Sequence, residues 1–154
     1  AAMVNDERKE RMAGKIIAAC GGAVDGKTIA VLGLTFKPNT DDMREAPSLS
    51  IVAGLKAAGA NVRVFDPEGM DEAKKSIDAD SVAWCEDAYD AATGADALTI
   101  VTEWNEFRAL DMDRLKDLMT SSVMVDLRNI YNPDEMRALG FEYTSVGRAA
   151  VPSA

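Results

Sequence analysis

Residues 28–33, TIAVLG, are a short apolar run that contains β-branched side chains and ends in a glycine. An apolar run without polar alternation is typical of a strand that is buried on both faces of a sheet. Five similar runs follow along the chain: NVRVFD (61–66), SVAWC (81–85), ALTIVT (97–102), VMVDL (123–127) and FEYTS (141–145). Each of these runs is predicted to be a strand, so the fold depends on how the strands are connected.

The segments between the predicted strands have helical patterns. The clearest helix runs from Pro47 to Ala58, with a proline in its first turn and Gly59 just beyond its end. Further helices are predicted over 69–77, 87–92, 112–119 and 133–139. Strands that alternate with helices form right-handed crossovers and a parallel sheet with helices on both faces. The sequence therefore predicts an α/β protein, a Rossmann-like doubly wound parallel sheet of about six strands.

A helix is predicted to precede this sheet. Residues 3–19 contain strong helix formers, and Gly21-Gly22 supplies a stop. The first two turns of this helix are almost entirely charged, which indicates a solvated face or, alternatively, a face that packs on a partner helix. We expect a helical segment over residues 1–22, one Rossmann-like domain over 23–148 and a flexible tail over 149–154, since 154 residues suit a single domain.

The composition excludes several classes of function. A net charge of −9 argues against a nucleic-acid-binding protein, and the absence of histidine excludes Ser-His-Asp and Cys-His catalysis and imidazole metal ligands. Cys20 and Cys85 belong to no CxxC pair, so we expect two buried thiols in a reducing compartment and no metal site. No charged-then-apolar leader opens this sequence and no apolar run reaches about 18 residues, so we expect a cytoplasmic protein without membrane contact.

One connection is much longer than the others. Thirteen residues, LTFKPNTDDMREA, separate Gly33 from the helix that begins at Pro47. Connections of this kind usually have about two to six residues, and longer ones in a compact domain are commonly functional. We therefore expect this loop to contribute to a binding site.

Three cationic side chains follow predicted strands at the point where each strand ends. Lys37 and Arg44 follow the first strand, and Arg128 follows the fifth. Because the carboxyl ends of parallel strands meet at one edge of the sheet, these cations are expected to converge on a small anion. Arg128 offers a planar fork for a phosphate or carboxylate, and Phe36 could place an apolar plane beside a ring or a ribose.

The usual dinucleotide fingerprint is absent. The first strand is followed by GLTFK (33–37) instead of GxGxxG, so no glycine cradle is predicted for a pyrophosphate. Asp66 stands where such folds place a ribose-binding carboxylate, but before Pro67 it is better explained as a turn initiator. Trp104, which follows the fourth strand beside Glu103, is interpreted as a cover for the adjoining helix. The residues alone predict an anion-binding α/β domain without a catalytic centre.

Several stretches resemble the C-terminal domain of UDP-glucose 6-dehydrogenases, in the UDP-glucose/GDP-mannose dehydrogenase family. The most specific is GKTIAVLGLTFKPNTDDMREAPS (26–48), and VTEWNEFRALD (101–111) and VDLRNIYNP (125–133) agree with it. Residues 4–22 resemble the end of the long helix that joins the two halves of these enzymes. The resemblance extends over residues 3–148.

The resemblance implies roles for individual residues. Phe36, Lys37 and Arg128 match positions that contact the UDP-sugar, and Arg44 matches one that approaches NAD across the interdomain cleft. Family enzymes oxidise UDP-glucose to UDP-glucuronate in two NAD-dependent steps through a thiohemiacetal on a cysteine. That cysteine and most of the NAD site belong to the N-terminal domain, which would be a partner of this one. The resemblance also implies a homodimer, no catalytic residue and no metal in this segment, and an inactive isolated fragment.

Two alternatives stay open on the sequence. The sequence NTDDMREAPS and the tripeptide TEW resemble the UDP-glucose branch of the family more closely. GDP-mannose and UDP-N-acetylmannosamine dehydrogenases nevertheless share the general loop. The domain could also serve as a non-catalytic dimerisation module.

Overall fold

The computed structural model describes residues 2–35, 37, 39 and 46–145, with side chains from residue 11 onward. The strands of the described chain are β1 (Thr28–Leu32), β2 (Asn61–Phe65), β3 (Ala83–Trp84), β4 (Ala97–Ile100), β5 (Val123–Asp126) and β6 (Glu142–Ser145). Its helices are α1 (Ala2–Ala19), α2 (Pro47–Ala57), α3 (Met70–Ala73), α4 (Ala88–Ala92), α5 (Asn105–Arg108), α6 (Met112–Leu118) and α7 (Pro133–Ala138). The predicted tail, Ala149–Ala154, lies outside the described residues.

The six strands form one sheet in the order β3-β2-β1-β4-β5-β6, and every pair of neighbours is parallel. This confirms the α/β class and the doubly wound parallel sheet. The strand order reverses between β1 and β4, and in open α/β sheets ligands bind outside the carboxyl ends of the strands at such a point. The topology therefore makes the carboxyl edge of this sheet the first place to look for a site.

Each face of the sheet is covered by its own hydrophobic cluster. Along β1, Ile29 and Val31 belong to one cluster, whereas Ala30 and Leu32 belong to the other, as strand alternation requires. Side chains from α1 and α2 complete the first cluster, which includes Ile16, Ile51 and Leu55. The second cluster takes side chains from α4, α5, α6 and α7, which include Ala91, Phe107, Leu115 and Met136.

The entry helix ends where the glycine pair predicts. Gly21 and Gly22 adopt positive φ angles of 92° and 96°, and the backbone N–H of Gly22 donates to the Ile17 carbonyl at 3.0 Å. Positive φ is a conformation that glycine adopts without a steric penalty. The Lys27 side chain also donates to the Cys20 carbonyl at 2.8 Å, so a cation satisfies the carboxyl end of α1.

Three local features differ from the sequence prediction. The helix predicted over 69–77 is limited to α3. The strand predicted over 81–85 is limited to β3, which pairs with β2 at the border of the described sheet. The short helix α5 was not predicted, because four residues are too few to establish a helical period. None of these differences alters the order or direction of the strands.

The described part of the chain contains no helix with the length and apolarity that a membrane span requires.

Candidate ligand site at the carboxyl edge of the sheet

The two described cations that the sequence selects lie on connections that leave the same edge of the sheet. Lys37 follows β1 and is exposed, and its carbonyl accepts a hydrogen bond from Thr35 Oγ1 at 3.0 Å. Arg128 follows β5, which is separated from β1 by β4 alone. Two strand spacings correspond to roughly 10 Å, a distance that long cationic side chains and a diphosphate can bridge. Phe36 and Arg44 lie outside the described residues.

Arg128 is held by an ion pair that the sequence did not reveal. Its Nε donates to Glu103 Oε2 at 2.6 Å, and its Nη2 donates to Glu103 Oε1 at 3.1 Å. The two side chains are 31% and 28% exposed, so the pair lies at the surface of the edge without being fully solvated. One side of the guanidinium predicted to bind an anion is thus already bound to a carboxylate.

Asp66 ends β2 and is almost fully buried, with 2% of its surface exposed. Its Oδ1 accepts from the backbone N–H of Glu68 at 2.9 Å and from that of Gly69 at 2.7 Å. These bonds form the turn that the Asp66-Pro67 sequence predicts, so the interpretation of Asp66 as a turn initiator is confirmed.

The other oxygen of Asp66 fixes the start of the long loop. Oδ2 accepts from the backbone N–H of Leu34 at 2.7 Å and from that of Thr35 at 3.1 Å. The indole Nε1 of Trp104 donates to the same oxygen at 3.2 Å. Asp66 therefore joins the loops that follow β1, β2 and β4. This wider role depends on contacts that are distant in sequence and was not predicted.

The bonds of Asp66 bear directly on dinucleotide binding. In a Rossmann fold the backbone amides of the first βα turn bind the pyrophosphate. Here the amides of Leu34 and Thr35 already donate to an internal carboxylate. These two amides are therefore not available to a pyrophosphate, in agreement with the missing glycine fingerprint.

The exits of β1 and β4 pack tightly together at the point where the strand order reverses. Gly33 has a φ of 97°, and a Cβ atom added there would lie 2.5 Å from the backbone nitrogen of Thr102. Thr102 Oγ1 donates to the Thr35 carbonyl at 2.7 Å, which ties the two exits together. Only glycine fits this position, because both its φ angle and the approach of Thr102 exclude a side chain.

Asp126, which ends β5, fixes the loop that carries Arg128. This fully buried carboxylate accepts from the backbone N–H of Arg128 at 3.0 Å through Oδ1. Its Oδ2 accepts from the N–H of Ile130 at 2.8 Å and from the Tyr143 hydroxyl at 2.6 Å. Asp126 thus fixes the loop after β5 as Asp66 fixes the loop after β2, a role that depends on the contact with Tyr143 and that no local sequence pattern predicts.

The cysteines are free and buried, as the sequence predicts. Burial raises the pKa of both the Cys20 and the Cys85 thiol, and the Lys27 charge opposes this shift at Cys20. A raised pKa keeps a thiol protonated at neutral pH, so neither cysteine is an activated nucleophile. The described residues also contain no group of three or more metal-ligating side chains suited to an ion.

A cavity of about 370 Å³ lies at the opposite, amino edge of the sheet. Among the residues that line it are Cys20, Lys27, Asp96, Ser121 and Glu142. Lys27 donates to the Cys20 carbonyl, and Asp96 accepts from the backbone N–H of Thr28 at 2.8 Å. The charged groups that line this cavity are of both signs and are not arranged around one anion. The carboxyl edge of the sheet is therefore the stronger candidate for a phosphate ligand.

Comparisons with known proteins agree with the resemblance found in the sequence. The model of the "UDP-glucose/GDP-mannose dehydrogenase family, UDP binding domain" matches residues 30–133. A UDP-glucose 6-dehydrogenase of Rhizobium meliloti (strain 1021) is 58% identical over 145 residues, which are 94% of this chain and 33% of that protein. The chain thus spans about a third of the length of the curated relatives it matches.

Solved structures give the same result at the level of the fold. A UDP-glucose dehydrogenase from the archaeon Pyrobaculum islandicum is 33% identical, with a TM-score of 0.66 over 78% of this chain and 26% of its own. An NDP-N-acetyl-D-galactosaminuronic acid dehydrogenase from Methanosarcina mazei Go1 is 29% identical, with a TM-score of 0.79 over 95% of this chain and 30% of its own. Because the family model covers well over half of the sequence, the chain belongs to the UDP-glucose/GDP-mannose dehydrogenase family and contains its UDP binding domain.

Proposed function

We propose that this chain binds the UDP part of a nucleotide sugar at the carboxyl edge of its sheet, through Lys37 and Arg128. The observation that carries the proposal is that both cations follow strands that end at this edge. In the proposed enzyme the domain contributes one side of the cleft of an NAD-dependent UDP-glucose 6-dehydrogenase, which converts UDP-glucose to UDP-glucuronate. The 58% identity to a UDP-glucose 6-dehydrogenase supports glucose as the sugar.

Electrostatics supports a local site of this kind. The chain carries a net charge of −9, so its long-range field repels a diphosphate. Binding then depends on short-range contacts with the cations at the edge. A charge-assisted hydrogen bond contributes about 1.5–3 kcal/mol, so the loss of one should weaken binding roughly tenfold or more.

The proposal assigns the oxidation itself to parts of the longer enzyme outside this chain. The sequence contains no histidine, and both cysteines are buried thiols of raised pKa. NAD would supply the hydride acceptor, and the amides of Leu34 and Thr35, which follow the first strand, already donate to Asp66 instead of a pyrophosphate. We therefore propose that NAD is held mainly by the N-terminal domain of the enzyme. Contacts of Phe36 with the UDP-sugar and of Arg44 with NAD stay predictions, as does the homodimer.

Calorimetric titration with UDP tests this function. UDP at up to millimolar concentration should release heat, and Lys37→Ala and Arg128→Ala should each weaken binding by roughly tenfold. Lys56→Ala is the matched control, because it removes an exposed positive charge from the far end of α2 and should leave the affinity unchanged.

The same titration distinguishes the alternative functions. Tighter binding of GDP than of UDP would favour a GDP-sugar enzyme. The absence of heat with any nucleotide, together with a stable dimer, would contradict the proposal and favour a dimerisation module.

A further inference from the structure

We propose that Glu103 is a positioning residue for the ligand site, which holds the Arg128 guanidinium so that its free edge faces the diphosphate. This inference rests on the proposed function, because it concerns how the same edge recognises its anion. It assigns a role in anion binding to a residue that is itself an anion.

The geometry of the pair leaves half of the guanidinium available. Arginine has five N–H donors in one plane. Glu103 takes one on Nε and one on Nη2, at 2.6 and 3.1 Å, which is the side-on arrangement. The three remaining N–H groups, on Nη1 and Nη2, form a second fork at the end of the side chain. Among the described residues nothing accepts from that fork, and Arg128 is 31% exposed, so an external phosphate can reach it.

Both residues of the Glu103–Arg128 ion pair lie on loops that are held by buried aspartates. Trp104, the neighbour of Glu103, is buried and donates through its indole to the buried carboxylate of Asp66. The backbone N–H of Arg128 donates to the buried carboxylate of Asp126. The loops after β4 and β5 are thus each held by a buried aspartate, and the ion pair connects them. A guanidinium held in this way is fixed in its plane before the ligand arrives.

Two effects of Glu103 on an anion have opposite signs. Its charge repels the diphosphate, and on this effect alone its removal would tighten binding. Its two hydrogen bonds restrict the rotamers of Arg128, so a free arginine would have to lose that freedom on binding. The remaining N–H groups of Arg128 point away from Glu103, and the two hydrogen bonds to Glu103 fix the plane of the guanidinium. The gain in UDP affinity from this orientation is therefore larger than the loss from charge repulsion.

The test compares UDP affinities of variants that separate orientation from charge. Glu103→Ala should weaken binding by roughly three- to tenfold, the range expected for immobilising one long side chain. Glu103→Gln, which keeps one acceptor oxygen for Arg128, should recover part of this loss. The matched control is Glu106→Ala, which removes an exposed carboxylate near the same edge that pairs with no described cation, and it should bind UDP equally or more tightly.

A double-mutant cycle excludes a merely structural role. If Glu103 acts through Arg128, Glu103→Ala should not weaken binding further when Arg128→Ala is already present. Unchanged or tighter UDP binding by Glu103→Ala, with Arg128→Ala still weakened, would overturn the inference and leave the proposed function intact. Full affinity in Arg128→Ala would remove both residues from the site. No UDP binding by the unmodified chain would refute the proposed function, and the inference would fall with it.

Discussion

Asp66→Asn is expected to lower the free energy of unfolding by about 3–5 kcal/mol. The buried carboxylate accepts five hydrogen bonds, four from backbone N–H groups and one from the Trp104 indole. An asparagine has a single oxygen, so its amide group would face N–H donors that then lose their acceptor. Each buried donor left without a partner costs about 1–3 kcal/mol. Urea unfolding of the two proteins measures the difference directly.

An exposed aspartate provides the control for this substitution. Asp113→Asn on α6 makes the same chemical change at an exposed position and should alter stability by no more than about 0.5 kcal/mol. A loss below about 1 kcal/mol for Asp66→Asn would mean that the loops after β1, β2 and β4 do not depend on this carboxylate.

Gly33→Ala is expected to lower the free energy of unfolding by about 4 kcal/mol or more. The residue adopts a φ of 97°, and its new Cβ would lie 2.5 Å from the Thr102 backbone nitrogen. The left-handed conformation alone costs an alanine about 1–2 kcal/mol. The rest of the expected loss arises because a backbone atom of the neighbouring strand exit, unlike the tip of a flexible side chain, must move to relieve the contact.

Gly94→Ala separates the two contributions. Gly94 also has a positive φ, 74°, but an added Cβ would meet nothing within 4 Å. This variant should lose only about 1–2 kcal/mol in the same urea experiment. Equal losses at positions 33 and 94 would show that the exits of β1 and β4 can separate without penalty, contrary to their close packing in the structure.

The fold could be predicted from the sequence because its signals are local. A strand at 28–33 and a helix between Pro47 and Gly59 could each be predicted without knowledge of the rest of the chain. Their repetition is enough to predict parallel strands with helical crossovers. The differences were also local: the strand predicted over 81–85 is present but is limited to the two residues of β3, and the four residues of α5 contain too little periodicity to detect.

The site could be predicted only in part because the residues that contact one another in it follow different strands. Lys37 and Arg128 could be assigned to one edge, since strand ends are visible in the sequence. The pairing of Arg128 with Glu103 requires β4 and β5 to be neighbours, and no local pattern contains that information. In the same way, the turn made by Asp66 is local and could be predicted. Its hydrogen bonds to Leu34 and Trp104 join residues that are distant in sequence, so they could not be predicted.

Chemical-shift mapping by NMR during a UDP titration tests ligand binding at the carboxyl edge most directly. The backbone amides that should move with added UDP are those of the strand exits, at Lys37, Glu103 and Arg128. Amides around the cavity at the amino edge, such as Lys27 and Ser121, should keep their positions. Shifts centred on Lys27 and Ser121, or no shifts at millimolar UDP, would contradict the assignment of the ligand site to the edge where Lys37 and Arg128 lie.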